Sequence, residues 1–255
     1  MFESVVRKFL YYPTTIPVAA PLPPYARDAR EVWITTPAGG RIHSLHWPAP
    51  DGRPTILFFH GNAQTVYEWA WIREELSPLD CGLLLIDYPG YGKSDGAPSE
   101  AALGDAGEAS FAWLEGEGGV AAEKMVIFGK SLGGGVAAKV ATGRRLRGLV
   151  LESTFTSIPG VARHLLPFLP GGMLLKSEVY NTVGRLPRIV APILIVHGVA
   201  DQLIPVREAH TLFEKANEPK RLYLVEGAGH ADVALTAGAA YGATLREWLD
   251  GTAGS

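Results

Sequence analysis

Six short runs in the chain are apolar without alternation. They are TILFFH (55–60), GLLLID (82–87), KMVIFG (124–129), GLVLES (148–153), ILIVHG (193–198) and RLYLVEG (221–227). Runs apolar on both faces suit strands that are covered on both sides. Helical stretches separate them, over residues 66–76, 100–114, 132–141, 207–215 and 233–249. Strand–helix–strand alternation predicts a mostly parallel sheet with helices on both faces. Ahead of these runs, EVWITT (31–36) and RIHSLHW (41–47) flank the turn PAGG, which predicts an antiparallel hairpin. The count is then eight strands in an α/β fold. The Pro-rich TTIPVAAPLPPY reads as a tether, and no repeat or low-complexity block divides residues 1–255, so a single domain is expected.

One connection breaks the rhythm. About 35 residues, 154–188, separate the sixth and seventh strands, where α/β connections usually take about 2–6. Leu165, Leu166, Phe168, Leu169, Met173, Leu174 and Leu175 lie there among prolines and glycines. Such an apolar insertion must cover something. It leaves from the carboxyl end of a strand, where ligands bind in open α/β sheets, so a lid or cap is expected. Leu165, Phe168, Leu169 and Met173 are its candidate substrate-pocket residues. An extra packing helix pair is the plainer alternative.

Ser131 stands between the fifth strand and a small-residue helix, in Gly129-Lys130-Ser131-Leu132-Gly133. This is G-x-S-x-G in the strand–turn–helix setting that a nucleophile elbow requires. A serine hydroxyl is a weak nucleophile and needs a base, which in turn needs an orienting carboxylate. Asp201 follows the seventh strand and His230 the eighth, giving the order Ser, Asp, His, each just past a strand. Glu152, at the end of the sixth strand, is the alternative acid. Asp232 reads as a cap for the last helix. In FFHGNAQ, Gly61 lets the backbone turn, so the N–H groups of Asn62 and Leu132 are the expected oxyanion donors, with His60 anchoring the loop.

Composition narrows the partners. At 255 residues and 47% hydrophobic, the chain can bury a large core. A net charge of −3 gives no basic footprint for nucleic acid. The lone cysteine, Cys81, precedes an apolar strand and reads as a small core residue. No closely spaced His/Asp/Glu cluster offers metal-ligand geometry, so neither metal nor cofactor is expected. No run approaches the ~20 apolar residues of a membrane span. MFESVVRKFLYYP lacks a signal-peptide core, so a cytoplasmic protein is expected. Phe2, Val5, Val6, Phe9 and Leu10 share a helical face that packs on the domain or touches a membrane surface.

The blocks FFHGNAQ, LLLIDYPGYGKSDGAPSE, GKSLGGGVA, ESTFTSIP, HGVADQLIPV and GAGH span about residues 55–230. Together they resemble the α/β-hydrolase superfamily, and more narrowly its Bem-forty-six-like branch, named after a yeast bud-emergence protein. The resemblance implies Ser131, Asp201 and His230 as a catalytic triad. It does not settle the substrate, because that branch holds esterases, thioesterases and many members of unassigned activity; with the apolar insertion, the expectation is a serine hydrolase cleaving carboxylic esters or thioesters of apolar acyl groups through an acyl-enzyme. Asp87 and Tyr88 belong to a shared block and read as loop-shaping. Many relatives in the branch carry an N-terminal membrane helix, which is not seen in this chain. A non-catalytic scaffold of the same fold and an amidase or peptidase on the same triad are the alternatives.

Overall fold

The computed structural model describes residues 7, 8, 10–165 and 178–252. Eight strands form one sheet: β1 (Arg30–Thr35), β2 (Arg41–Trp47), β3 (Thr55–Phe59), β4 (Gly82–Ile86), β5 (Met125–Lys130), β6 (Gly148–Glu152), β7 (Ile193–Gly198) and β8 (Lys220–Val225). Their order across the sheet is β1-β2-β4-β3-β5-β6-β7-β8. β1 and β2 pair antiparallel, as the hairpin pattern predicts, and β2 joins β4 antiparallel. Every pair from β4 through β8 is parallel.

The apolar runs lack alternation because the sheet has a core on each face. In β3, Leu57 and Phe59 enter one core, while Ile56 and Phe58 enter the other. In β5, Ile127 goes to the first face, and Val126 and Phe128 to the second. Every residue of these two strands is therefore buried, and each apolar side chain among them contributes roughly 1.5–3 kcal/mol.

Two expected helices are interrupted. The stretch 66–76 divides into α1 (Val66–Trp69) and α2 (Ile72–Leu76). The bonds across the junction, Arg73 N–H to Ala70 O and Glu74 N–H to Trp71 O, are of the tighter i→i+3 kind. The stretch 233–249 divides into α8 (Val233–Ala237) and α9 (Ala239–Gly251). Gly238 separates them at φ +55, a left-handed geometry that stops a helix. Between these pairs lie α3 (Glu100–Glu115), α4 (Leu132–Ala141), α5 (Ile158–Leu165), α6 (Thr182–Arg185) and α7 (Arg207–Lys215). Ser99 caps α3, its side chain accepting the Ala102 N–H.

Of the insertion between β6 and β7, the described flanks contain α5, α6 and a 3₁₀ turn, Leu186–Arg188. Leu165 is 45% exposed. Phe168, Leu169 and Met173, with Leu166, Leu174 and Leu175, lie outside the described residues. So do Phe2, Val5, Val6 and Phe9 of the expected N-terminal helical face, whereas Leu10 packs against the core. Cys81 is half-buried against the second core, and burial pushes its thiol up to about 12, which fits a packing role.

Leu57 sits fully buried at the centre of the sheet, between β4 and β5. Leu57→Ala should lower unfolding free energy by about 2–5 kcal/mol. Urea denaturation measures this as a lower midpoint with the slope unchanged.

Candidate active site

Three loops at the carboxyl ends of parallel strands bring the site together. The first follows β5. Ser131 takes φ +52 and ψ −117, a conformation that L residues rarely adopt. Its N–H donates to Glu152 O at 2.9 Å, and its carbonyl accepts the Thr154 hydroxyl at 2.7 Å and the Gly134 N–H at 3.0 Å. A Cβ at Gly133 would collide with the backbone of Phe59 and His60, and one at Gly129 with Gly133 O and Ala137. Both glycines are therefore required by close packing of strand against helix.

Asp201 and His230 come from the loops after β7 and β8. His230 Nε2 lies 3.0 Å from Ser131 Oγ, and His230 Nδ1 lies 2.8 Å from Asp201 Oδ2. The other carboxylate oxygen, Asp201 Oδ1, accepts the N–H groups of Leu203 (2.9 Å) and Ile204 (2.8 Å). Burial pushes the Asp201 carboxyl upward. Bonds from His197, His230 and Ile204 N–H outweigh this and hold it well below the usual carboxylate range. Asp201 is therefore an anion at neutral pH.

Asp232 does something other than cap α8. Its backbone, at φ −114 and ψ 20, is not extended as a capping residue's is. Its Oδ1 instead accepts the Gly229 N–H at 2.7 Å, tightening the turn that carries His230.

The third loop, 60–63, lies against the elbow: a Cβ built on Gly61 would stand 3.5 Å from Ser131 Cβ. Among the described residues, the N–H groups of Asn62 and Leu132 donate to no protein acceptor. His60 fixes the loop, its Nδ1 lying 2.6 Å from Gly61 O while Tyr88 donates to His60 O at 2.7 Å. Burial holds the His60 imidazole below the ordinary histidine range, which suits an anchor. Asp87 is equally structural, accepting Val66 N–H at 2.9 Å and lying 2.7 Å from His43 Nδ1.

Several supporting groups escape a reading of spacing alone. The Asn62 side chain accepts from Tyr91 (2.6 Å) and Tyr12 N–H (3.2 Å), and donates to Leu10 O (2.6 Å). The 10–12 segment, just ahead of the expected tether, thus straps the loop that carries the Asn62 N–H, and Thr14 at the start of the tether donates its hydroxyl to Ala63 O at 3.2 Å. Tyr11, on the same strap, bonds Glu178 and Tyr180 at the far end of the insertion. Glu152, the alternative acid, is taken up by Lys130 (2.7 Å) and Tyr241 (2.6 Å). No bond joins it to His230 among the described residues. Beside α5 an open groove of about 530 Å³ is lined by polar residues including Arg163, His164, Arg207 and Glu208. Among the described residues no group of three or more His, Cys, Asp or Glu side chains could hold a metal ion. Nor is any described helix long and apolar enough to cross a membrane.

The chain belongs to the alpha/beta hydrolase fold family, which it matches over residues 54–182. It is 34% identical to an uncharacterized protein of Mycobacterium tuberculosis, over 98% of this chain and 89% of that one. Human alpha/beta hydrolase domain-containing protein 17B is 32% identical, over 82% of this chain and 72% of the relative. Among solved structures, the esterase Pf2001 of Pyrococcus furiosus superposes with a TM-score of 0.74 at 17% identity, covering 96% of this chain and 98% of that one. Family membership supports a hydrolase, and the superposition supports the fold.

Behind the elbow, Glu75 is raised from 4.5 to about 7 by burial and by the neighbouring Glu152 charge, against the opposing pull of Lys130. Between those values the folded chain keeps a proton that the unfolded chain has lost, so stability should fall as pH rises through that window. Glu75→Gln should flatten this part of the stability–pH curve, read as thermal midpoints from about pH 4.5 to 7.

Proposed function

We propose that the protein is a serine hydrolase that cleaves carboxylic esters, or thioesters, of apolar acyl groups through an acyl-enzyme. One observation carries the reading: Ser131 Oγ, both nitrogens of His230 and Asp201 Oδ2 form one chain, with links of 3.0 and 2.8 Å. Ser131 Oγ attacks the acyl carbonyl as His230 Nε2 takes its proton. Asp201 accepts the His230 Nδ1–H and stabilises the imidazolium that forms. The oxyanion of the tetrahedral adduct is assigned to the N–H groups of Asn62 and Leu132. The adduct collapses as Nε2 returns the proton to the leaving alcohol or thiol, and water repeats the sequence to release the acid.

The acyl group is assigned to the 154–188 insertion, whose Leu165, Phe168, Leu169 and Met173 give it its apolar character in the sequence. Blocks such as DYPGYGKS and SLGG favour placement in the Bem-forty-six-like branch. The substrate is a small molecule reached without metal or cofactor, in the cytoplasm.

Ser131→Ala should remove burst kinetics and nearly all turnover of p-nitrophenyl esters while leaving the circular dichroism spectrum intact. Turnover retained in that variant would end the assignment.

Asp201→Asn removes the charge that holds His230 and permits the wrong tautomer, a change that lowers kcat about 10⁴-fold in a serine protease with the same three groups. Glu152→Gln should cost far less, because that carboxylate faces Lys130 and Tyr241. Steady-state kcat for the two variants ranks the acids, and a reversed order would transfer the role to Glu152.

A further inference from the structure

Strand β7 delivers a second histidine to the acid of the site. His197 is 1% exposed. Its Nε2 lies 2.8 Å from Ile204 O, with Asp201 Oδ2 as a longer contact at 3.4 Å. A carbonyl oxygen only accepts, so Nε2 must carry a proton. Among the described residues, Nδ1 is buried with no hydrogen-bond partner. A second proton there would bury a charged N–H with no described protein group to accept it, a costly arrangement. The geometry therefore selects the neutral ring with its proton on Nε2.

That proton sits where it can act on the Asp201 carboxylate. Oδ1 is held by the Leu203 and Ile204 N–H groups, and Oδ2 by His230 at 2.8 Å. Ile204 is gripped twice, its N–H by Asp201 and its carbonyl by His197. Among the described residues, no lysine, arginine or second carboxylate lies within ion-pair distance of Asp201; its titratable neighbours are His197 from β7 and His230 from the loop after β8.

We propose that His197 is a positioning residue of the Ser131–His230–Asp201 triad: its Nε2–H closes the 201–204 turn through Ile204 O and stands 3.4 Å from the Asp201 Oδ2 that His230 uses. The proposal rests on the triad reading above. The turn fixes the direction of Oδ2, and the nearby N–H moderates its pull on the imidazole. Every donor on a carboxylate spreads its negative charge and lowers its basicity. A less basic Asp201 holds the imidazolium less firmly. Without His197, the acid limb of the activity profile should move to higher pH. A ring that merely fills space would not move that limb.

The test measures kcat, KM and the pH dependence of kcat/KM for p-nitrophenyl butyrate in wild type, His197→Phe and His197→Gln, with Ser131→Ala as control. Phenylalanine keeps a ring but carries no N–H, while glutamine presents an amide N–H close to the place of Nε2–H. His197→Phe should lower kcat about tenfold with KM little changed, the cost of a slightly misplaced acid. Its acid limb should move upward by about half a pH unit or more. His197→Gln should recover most of both. A limb that stays in place or moves downward in His197→Phe overturns the proposal, as does a glutamine variant as impaired as the phenylalanine one. Should His197→Phe not fold, the glutamine variant and nitrogen-15 NMR of the wild-type histidines decide. His197 must appear at neutral pH as the Nε2–H tautomer, and an Nδ1–H tautomer or an imidazolium overturns the proposal. Activity that survives Ser131→Ala brings down the triad reading and this proposal together. An unmoved acid limb alongside an inactive Ser131→Ala brings down this proposal alone.

Discussion

The geometry of the site depends on one unfavourable backbone conformation. A non-glycine residue at positive φ costs on the order of 1–3 kcal/mol, and Ser131 is held there by its surroundings. Its N–H is tied to β6 through Glu152 O, and its carbonyl to Thr154 beyond that strand. The β5–β6 register sets Lys130 opposite Glu152, and a buried ion pair joins their side chains. The last residues of β5 and β6 thus hold the elbow twice, through backbone and side chain. Removing one partner of such a buried pair would leave the other charge uncompensated, at about 3–5 kcal/mol, so the two strand ends stay matched. Only because the turn is this tight does the hydroxyl project beyond the sheet edge toward His230.

The other two loops follow the same plan on less strained backbone. Asp201 and His230 are each placed by a parallel strand that ends at the same edge, and each turn is closed by a carboxylate accepting backbone N–H groups: Asp201 within 201–204, Asp232 within 229–232. The 60–63 loop is held from both sides, by Tyr88 on His60 O and by Tyr91, Leu10 and Tyr12 on Asn62. Because the same N-terminal strap bonds Glu178 through Tyr11, the loop after β3 and the exit of the insertion share one support. Rigid positioning of this kind is what the proposed oxyanion role of the Asn62 N–H would require, since such donors must be aimed before charge develops.

Much of this was legible in the sequence. Runs apolar at successive positions announced doubly covered strands, and the two cores on β3 and β5 are the reason. Strand-end positions pointed to Ser131, Asp201 and His230, which the fold brings into one hydrogen-bonded chain. What escaped was of two kinds. Helix continuity failed at Gly238, where a single left-handed residue outweighed an apolar period. Long-range bonds also left no local pattern: nothing near Asn62 in sequence announces Leu10 or Tyr12, and nothing in GAGHAD tells a capping Asp232 from one that reaches back to Gly229. His197 lay in plain sight in ILIVHG, but its meaning depends on Ile204 O, seven residues on and in another turn.

The central claim is that Ser131 is an activated nucleophile, and covalent trapping tests it most directly. Wild-type protein treated with a fluorophosphonate and followed by intact-mass and peptide mass spectrometry should gain one phosphonyl group, mapped to Ser131 and lost in Asp201→Asn at matched times. A label found on another residue, or no label under conditions that saturate a known serine esterase, would contradict the account.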